Sequence, residues 1–334
     1  MITLGCFFLK LLLVNPMSKI HTLFLLLYTT TCVAFASAKE APKMHLIWQM
    51  SKEYRFEEDW LAELLSGIAY DEVTDGNFEV FMDNAIVVVS SNTGVFANDS
   101  PKQQAYFTKF HELNYNFGII HLSDELYHAA TDFYPFAKFV FRNYWHKDFA
   151  QMDNVLIFPL GYKAEFWLNY PKPRFKKPSQ RNYTWSFAGQ VQRKPTREYM
   201  VAHLKTVPNH YIYEIAKWGD PNALKVDDYR NLLMDTIFAP CPRGFWNIDS
   251  FRVWEALECG CIPIVEKTPI DYFTNFLGAH PFLSVETWDE APNLMHTLLE
   301  DPIALEERQK QCQQWWHNYK RGLKVEMKSI INKG

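Results

Sequence analysis

Acidic side chains are missing altogether from residues 1–38, and several other features are missing from the rest of the chain. Beyond residue 38 no apolar run reaches 18 residues, so that part reads as soluble, with no second membrane span. No CxxC pair or His-spaced cysteine cluster is there to hold zinc. No repeat or low-complexity tract interrupts the chain. No Lys/Arg-dense patch offsets the net charge of −4, and removing Lys10 and Lys19 with the leader would leave the remainder more acidic still, so nucleic acid is not an expected partner. What is present is ordinary globular material. The 334 residues are 48% hydrophobic, 16% aromatic and 22% charged, which excludes a disordered, collagenous or simple coiled-coil chain. That material is ample for two cores at roughly 150 residues per domain.

The acid-free leader holds two apolar runs. Ile2 to Val14 is broken by Asn15-Pro16; Ile20 to Ala38 follows Lys19 and ends in Ala36-Ser37-Ala38, a small-x-small signal-peptidase pattern, before the polar Lys39-Glu40. Residues 1–38 are expected to be a cleaved signal peptide or a retained type II signal anchor, since 19 residues just cross a bilayer. The sequons Asn98-Asp-Ser100 and Asn182-Tyr-Thr184 fit a lumenal chain. The expected location is therefore the Golgi membrane, lumen-facing, or export after cleavage, with membrane contact only through this segment. Cys6 and Cys32 lie in the leader; Cys241, Cys259, Cys261 and Cys312 are expected as buried thiols, with one bridge left open.

From residue 39 the pattern alternates strand and helix. Leu46 to Trp48, Ala85 to Val89, Phe117 to Leu122, Phe139 to Phe141 and Val155 to Phe158 read as strands, the second a continuous β-branched run suited to a buried parallel sheet. Glu57 to Ile68 and Pro101 to Leu113 read as helices, and Ser123 to Ala130 as a turn opening another. The Pro- and Lys-rich stretch around 171–180 reads as a linker. The alternation then restarts, with strands at Thr184–Ala188, Tyr211–Ile215, Thr236–Ala239 and Cys261–Val265, and helices at Arg197–Leu204, Asp227–Met234 and Ser250–Cys259. The expected organisation is α/β: a Rossmann-like domain over 39–170, a second over 181–301, a cleft between them, and C-terminal helices over 302–334.

The most informative stretch runs from Phe238 to Val265 and reads strand, loop, helix, tight turn, strand. In the loop, Arg243-Gly244 lets the backbone approach a ligand. Asp249 or Ser250 is placed to cap the helix, whose free amides and dipole favour an anion. Arg252 and Glu255, three apart, share one face. A cation beside the helix start suits a diphosphate, and a carboxylate one turn on suits ribose hydroxyls. The same spacing equally suits a plain Arg252–Glu255 ion pair facing solvent, and both readings stand at this level.

This block resembles the nucleotide-sugar signature of exostosin-type glycosyltransferases, in which a Ser-Phe-Arg-x-x-Glu-Ala-Leu helix precedes Gly-Cys-Ile-Pro-Ile. Trp185-Ser-Phe-Ala-Gly189 followed by Arg197 resembles the family's first strand into its nucleotide domain. Phe158-Pro-Leu-Gly161 and Gln314-Trp-Trp-His-Asn-Tyr319 resemble the ribitol-phosphate xylosyltransferase branch. The resemblance covers roughly residues 117 to 330 and implies a GT-B architecture of two doubly wound domains. It also implies a UDP-sugar co-substrate on the C-terminal domain, inverting transfer to a glycan or polyol-phosphate hydroxyl, xylose as the first donor to consider, and no tightly bound cofactor or obligatory metal. The lack of a convincing Asp-x-Asp motif agrees, since Asp227-Asp228 opens a helix. Arg243 and Arg252 would meet the leaving diphosphate, with Arg193, Lys194 and Arg197 as secondary partners, Gly244 and Ser250 at the phosphate turn, and Glu255 on the ribose.

An inverting transfer needs a base. Glu125 and then Asp124, just past the strand Phe117–Leu122, are the leading candidates, with His121 tuning them and Glu165 third. A capping role for Ser123 or Asp124 is the plainer alternative. Phe245 and Trp246, beside the phosphate loop, are the aromatics most suited to stacking on a base or a sugar. Two other functions remain open: a fucosyltransferase-like enzyme using a GDP-sugar, and a glycan-binding GT-B domain without turnover.

Overall fold

Continuous runs of β-branched and aromatic residues are stable only in a sheet covered on both faces, and two such sheets form. The computed structural model describes residues 43–91, 100–167, 174–217 and 219–333. The leader, Asn98 and part of the expected linker lie outside the described residues. From Met44 onward the chain is one compact unit in two halves. The N-terminal half contains β1 (Met44–Trp48), α1 (Glu58–Leu64), β2 (Tyr70–Thr74), β3 (Ala85–Ser90), α2 (Ser100–Glu112), β4 (Phe117–Leu122), β5 (Val140–Arg142) and β6 (Val155–Ile157). Its strands pair in the order β2-β1-β3-β4-β5-β6, all parallel. The C-terminal half contains β7 (Tyr183–Gly189), α3 (Pro195–Leu204), β8 (His210–Glu214), α4 (Val226–Met234), β9 (Thr236–Cys241), α5 (Phe251–Glu258), β10 (Ile262–Glu266), α6 (Tyr272–Leu277), β11 (Leu283–Val285) and α7 (Ala291–Leu299), followed by α8 (Pro302–Lys333). Here the order is β11-β10-β9-β7-β8, again parallel. The winding reverses between β7 and β9, and open sheets of this kind take ligands at the carboxyl ends of the strands flanking that reversal.

Every residue of β3, β4 and β9 is buried, as their unbroken apolar pattern requires. A large core runs through both halves and a smaller one lies on the other face of the N-terminal sheet. Helix α8 is one continuous element that closes the seam between the halves. Trp316 stacks on Trp60 of α1 at 5.6 Å and packs on Trp254 of α5 at 5.1 Å, while its indole N–H donates to Glu258 at 2.8 Å. Lys320 bridges Glu63 and Glu258, one carboxylate from each half. The described end of the expected linker is pinned, since Gln309 of α8 donates to the carbonyls of Lys176 and Gly260, and the buried Arg181 donates to those of Leu233, Thr236 and Cys259.

Two expectations need correction. No helix forms over 123–130: Ser123 and Tyr127 have φ of +61° and +58°, outside helical geometry, and the Asp124 carboxylate accepts the amides of His128 and Ala129 to close a turn instead. Helix α1 stops at Leu64, before Gly67 at φ +84°, and leaves room for β2, an edge strand whose Asp71 and Glu72 hid it from an apolar count. The four cysteines are the buried thiols expected: Cys241, Cys259, Cys261 and Cys312 are free and buried, and no bridge forms among the described residues. Asn182 is exposed, and its side-chain amide is engaged by Asp235.

Candidate active site

The carboxyl ends of β7 and β9 open into a cavity of about 580 Å³ lined by both halves. On its C-terminal wall lie Ala188 and Gly189 at the end of β7 and Gln190 just past it, Arg197 of α3, Pro242 and Gly244 after β9, Ser250 at the N-cap of α5, and Arg252 and Glu255 within it. Gly189 has φ of +153°, and a Cβ there would come within 3.0 Å of the Arg252 guanidinium, so the glycine is what lets that side chain lie against the strand end. Arg252 stacks on Phe187 at 4.5 Å and donates to the Ala188 carbonyl at 3.1 Å. It does not pair with Glu255, whose Oε1 accepts the Lys163 amide at 3.3 Å from across the cleft. Burial holds the Glu255 carboxyl above the usual carboxylate range, Arg252 opposing.

Arg197 is buried and donates to the carbonyls of Gln190 and Arg243, each at 3.0 Å. Its pKa is pulled down to about 10, by burial first and then by repulsion from Arg252. Two guanidinium groups thus converge on one desolvated wall. Arg197 Nε and Ser250 Oγ are buried there without any partner. Orphaned buried polar atoms are rare, and several at one cavity mark a place where a ligand completes the bonding. Ser250 stands at the N-cap position of α5, yet its hydroxyl makes no capping bond. Asp249 does not cap either: it accepts Trp254 Nε1 at 2.7 Å and, at 3.4 Å each, the Leu160 amide and the Tyr272 hydroxyl.

Arg243 lies elsewhere than expected. Its guanidinium turns from the cavity to Glu266, at 3.0 Å, and to the Thr268 carbonyl at 2.7 Å. The nearby buried carboxylate outcompetes an open cleft for the charge. Arg193 is exposed and is not part of the cavity wall; Lys194 sits with Nζ 4.0 Å above the Phe245 ring. Asp227 is in the first turn of α4, paired with Arg230.

The opposite wall is acidic. Glu125 lines the cavity, accepts the Tyr144 hydroxyl at 3.4 Å, and leaves Oε2 buried without a partner. Burial raises its pKa. Asp124 faces away, in an ion pair at 3.0 Å with Arg142, both buried. His121 also faces away, its ring bound to Ser91 at 2.6 Å and Tyr134 at 2.7 Å, its pKa pulled down by burial and by Arg142. Glu165 is exposed and outside the cavity wall.

Two carboxyls at the cavity went unnoticed as acids in the sequence. Glu57, just before α1, accepts Ser123 Oγ at 3.0 Å and Asn143 Nδ2 at 3.3 Å, and burial lifts its pKa to about 7. Asp249, read only as a cap, is also lifted to about 7 by burial. Glu57 stands some seventy residues from Glu125 in the chain, so no local motif could link them. Among the described residues no cluster of three or more His, Cys, Asp or Glu is arranged to hold a metal ion.

Two parallel, doubly wound sheets facing across a cleft make the GT-B fold of glycosyltransferases, and solved structures share it. A crystal structure of an α1,3-fucosyltransferase superposes with a TM-score of 0.51 at 12% identity, covering 89% of this chain and 92% of that one. Anabaena HepE, solved in complex with UDP, gives 0.52 at 10% identity, covering 87% and 100%. Residues 167–334 match the family described as RXYLT1 C-terminal domain, and the chain belongs to that family. Human ribitol-5-phosphate xylosyltransferase 1 is 25% identical over an alignment of 174 residues; the match covers 46% of this chain and 38% of that protein, well under half of the curated relative.

Proposed function

We propose that the protein is an inverting glycosyltransferase that holds a UDP-sugar on the C-terminal wall of the cleft and passes the sugar to a hydroxyl of a glycan or polyol-phosphate acceptor. The observation that carries this reading is the convergence of Arg197 and Arg252 beside Gly189 and the unpartnered Ser250 hydroxyl, at the sheet's reversal point. Two repelling cations on a buried wall are stabilised by a dianion, and a diphosphate supplies one. The α5 amides add the positive end of the helix dipole. In this reading the charge of the departing diphosphate is met by fixed protein groups, without need of a metal. Glu255, one turn along, takes the ribose hydroxyls.

Glu125 is the base. It accepts the proton of the acceptor hydroxyl, whose oxygen bonds to the anomeric carbon from the face opposite the breaking bond to the diphosphate; the nucleoside diphosphate leaves with that electron pair. The kinship to a named xylosyltransferase supports UDP-xylose as the first donor to try. Golgi residence through residues 1–38 belongs to the same proposal.

UDP is expected to raise the melting temperature of the protein by an increment that grows with the logarithm of its concentration above Kd, and Arg252→Ala to weaken UDP binding about tenfold or more by calorimetry. Tighter binding of GDP than UDP would turn the reading to a GDP-sugar enzyme. No binding of either nucleotide, or UDP affinity unchanged in Arg252→Ala, would end it.

A further inference from the structure

Three tyrosines line the cavity, Tyr144, Tyr213 and Tyr229, and the hydroxyls of the first two are engaged. Tyr144 donates to Glu125 at 3.4 Å, and Tyr213 of β8 donates to the Asn222 carbonyl at 2.6 Å. The Tyr229 hydroxyl, carried by α4, is buried and has no hydrogen-bond partner among the described residues. Phe166 of the N-terminal half braces its ring edge-on at 6.3 Å. Burial, and then the charge of Glu255 close by, push this hydroxyl well above its ordinary pKa, so it keeps a proton to donate. Glu255 spends Oε1 on the Lys163 amide and lines the same cavity. The neighbouring wall carries no charge: from Tyr213 to Tyr229 the residues that line the cavity are Ile215, Ala223, Leu224 and Val226 between the two tyrosines.

We infer that Tyr229 is a specificity-determining residue for the donor: its hydroxyl donates to one oxygen of the ribose diol while Glu255 accepts from the other hydroxyl, so that the cleft selects ribonucleotides over deoxynucleotides. The inference rests on the transferase reading and adds to it a residue and a selection. A nucleoside diphosphate has three parts with different needs. The same wall holds arginines for the diphosphate, an uncharged apolar stretch for the flat base, and a carboxyl with an unused donor near it. A carboxyl and a donor near one another match a vicinal diol, whose hydroxyls each donate and accept. A buried hydroxyl without a bond is costly to the folded protein, and a ligand that brings the missing acceptor recovers that cost. A deoxynucleotide leaves it in place, which is how a site built to bond a hydroxyl rejects the analogue without one.

The test is calorimetric titration of the full chain and of Tyr229→Phe with UDP, 2′-deoxy-UDP and 3′-deoxy-UDP, beside urea unfolding of both proteins. The parent is expected to bind UDP about tenfold or more tighter than either deoxynucleotide. Tyr229→Phe should bind UDP about three- to tenfold more weakly, yet match the parent on the deoxynucleotide that lacks the hydroxyl Tyr229 reads. Its unfolding midpoint should be unchanged or higher, because the variant keeps the ring and removes an unpaired buried hydroxyl. A purely structural tyrosine would give the reverse. Unchanged UDP affinity in the variant, an equal loss on all three nucleotides, a lower midpoint, or no preference of the parent for UDP would each overturn the inference while leaving the donor reading intact. Failure of UDP to bind the parent removes the donor reading itself, and the inference with it.

Discussion

Asp124 and Glu125 are adjacent carboxylates that face opposite ways, one to Arg142 and one to the cavity. Asp124 neutralises Arg142, which is fully buried and otherwise donates to the Tyr134 hydroxyl and to its neighbour's carbonyl. Asp124→Asn is expected to cost about 3–5 kcal/mol in urea unfolding, because it strands a buried cation. Glu125→Gln should instead leave stability and UDP affinity near the parent's and lower kcat by about 10²–10⁴-fold, the usual worth of a positioned base. Because burial raises the Glu125 pKa and a base acts only when ionised, kcat/KM should climb with pH and level off above the ordinary glutamate value of 4.5. A profile already flat at that pH would exclude Glu125 as the base. Sequence adjacency made both residues candidates; only their opposite facing separates them.

Helix α5 is eight residues long, and its worth lies in its surroundings. Its buried side carries Trp254 and Glu258 to the seam with α1 and α8, while its start presents Ser250 and Arg252 to the cleft. The Phe238–Val265 pattern showed this strand–helix–strand unit correctly because its periodicity is local, and Gly260, at φ +69°, ends the helix as a glycine there should. The missed elements have mixed patterns: β2 is a half-exposed edge strand, and α6, β11 and α7 are short. Helix α8 reads as amphipathic, but which helices it joins is a long-range fact. Trp316→Ala removes contacts to Trp60 and Trp254 and the bond to Glu258, and should cost about 3–5 kcal/mol by denaturant titration. A loss under about 1 kcal/mol would mean the seam is held elsewhere.

Over the whole molecule, closing two halves on one cavity buries carboxyls that nothing neutralises. Glu57 and Asp249 are each lifted to about 7 from ordinary values of 4.5 and 3.8. The folded state then holds protons that the unfolded chain has already lost between about pH 4 and 7, so stability is full below that range and falls as pH rises through it. The penalty above pH 7 is on the order of 3 kcal/mol for each group. Glu57→Gln keeps an oxygen for Ser123 and Asn143 and removes the charge. It should therefore stabilise the protein at pH 8 and lose that advantage by pH 4.5, seen as a shallower slope of unfolding free energy against pH. An unchanged slope would show that Glu57 ionises in the folded protein as freely as in water.

Local physics was readable before any fold was known: β-branched runs became parallel strands, the three-residue spacing put Arg252 and Glu255 on one cavity wall, and Gly189 and Gly260 stand where backbone must turn or be approached closely. Those features depend on neighbours within a few residues, so the sequence carries them whole. Where a charge points was decided in three dimensions. Arg243 went to Glu266, Asp124 to Arg142, and Glu57 joined Glu125 and Asp249 at the cleft. A buried ion takes whichever partner the packed chain brings within a few ångströms, and that choice exists only once distant segments have met.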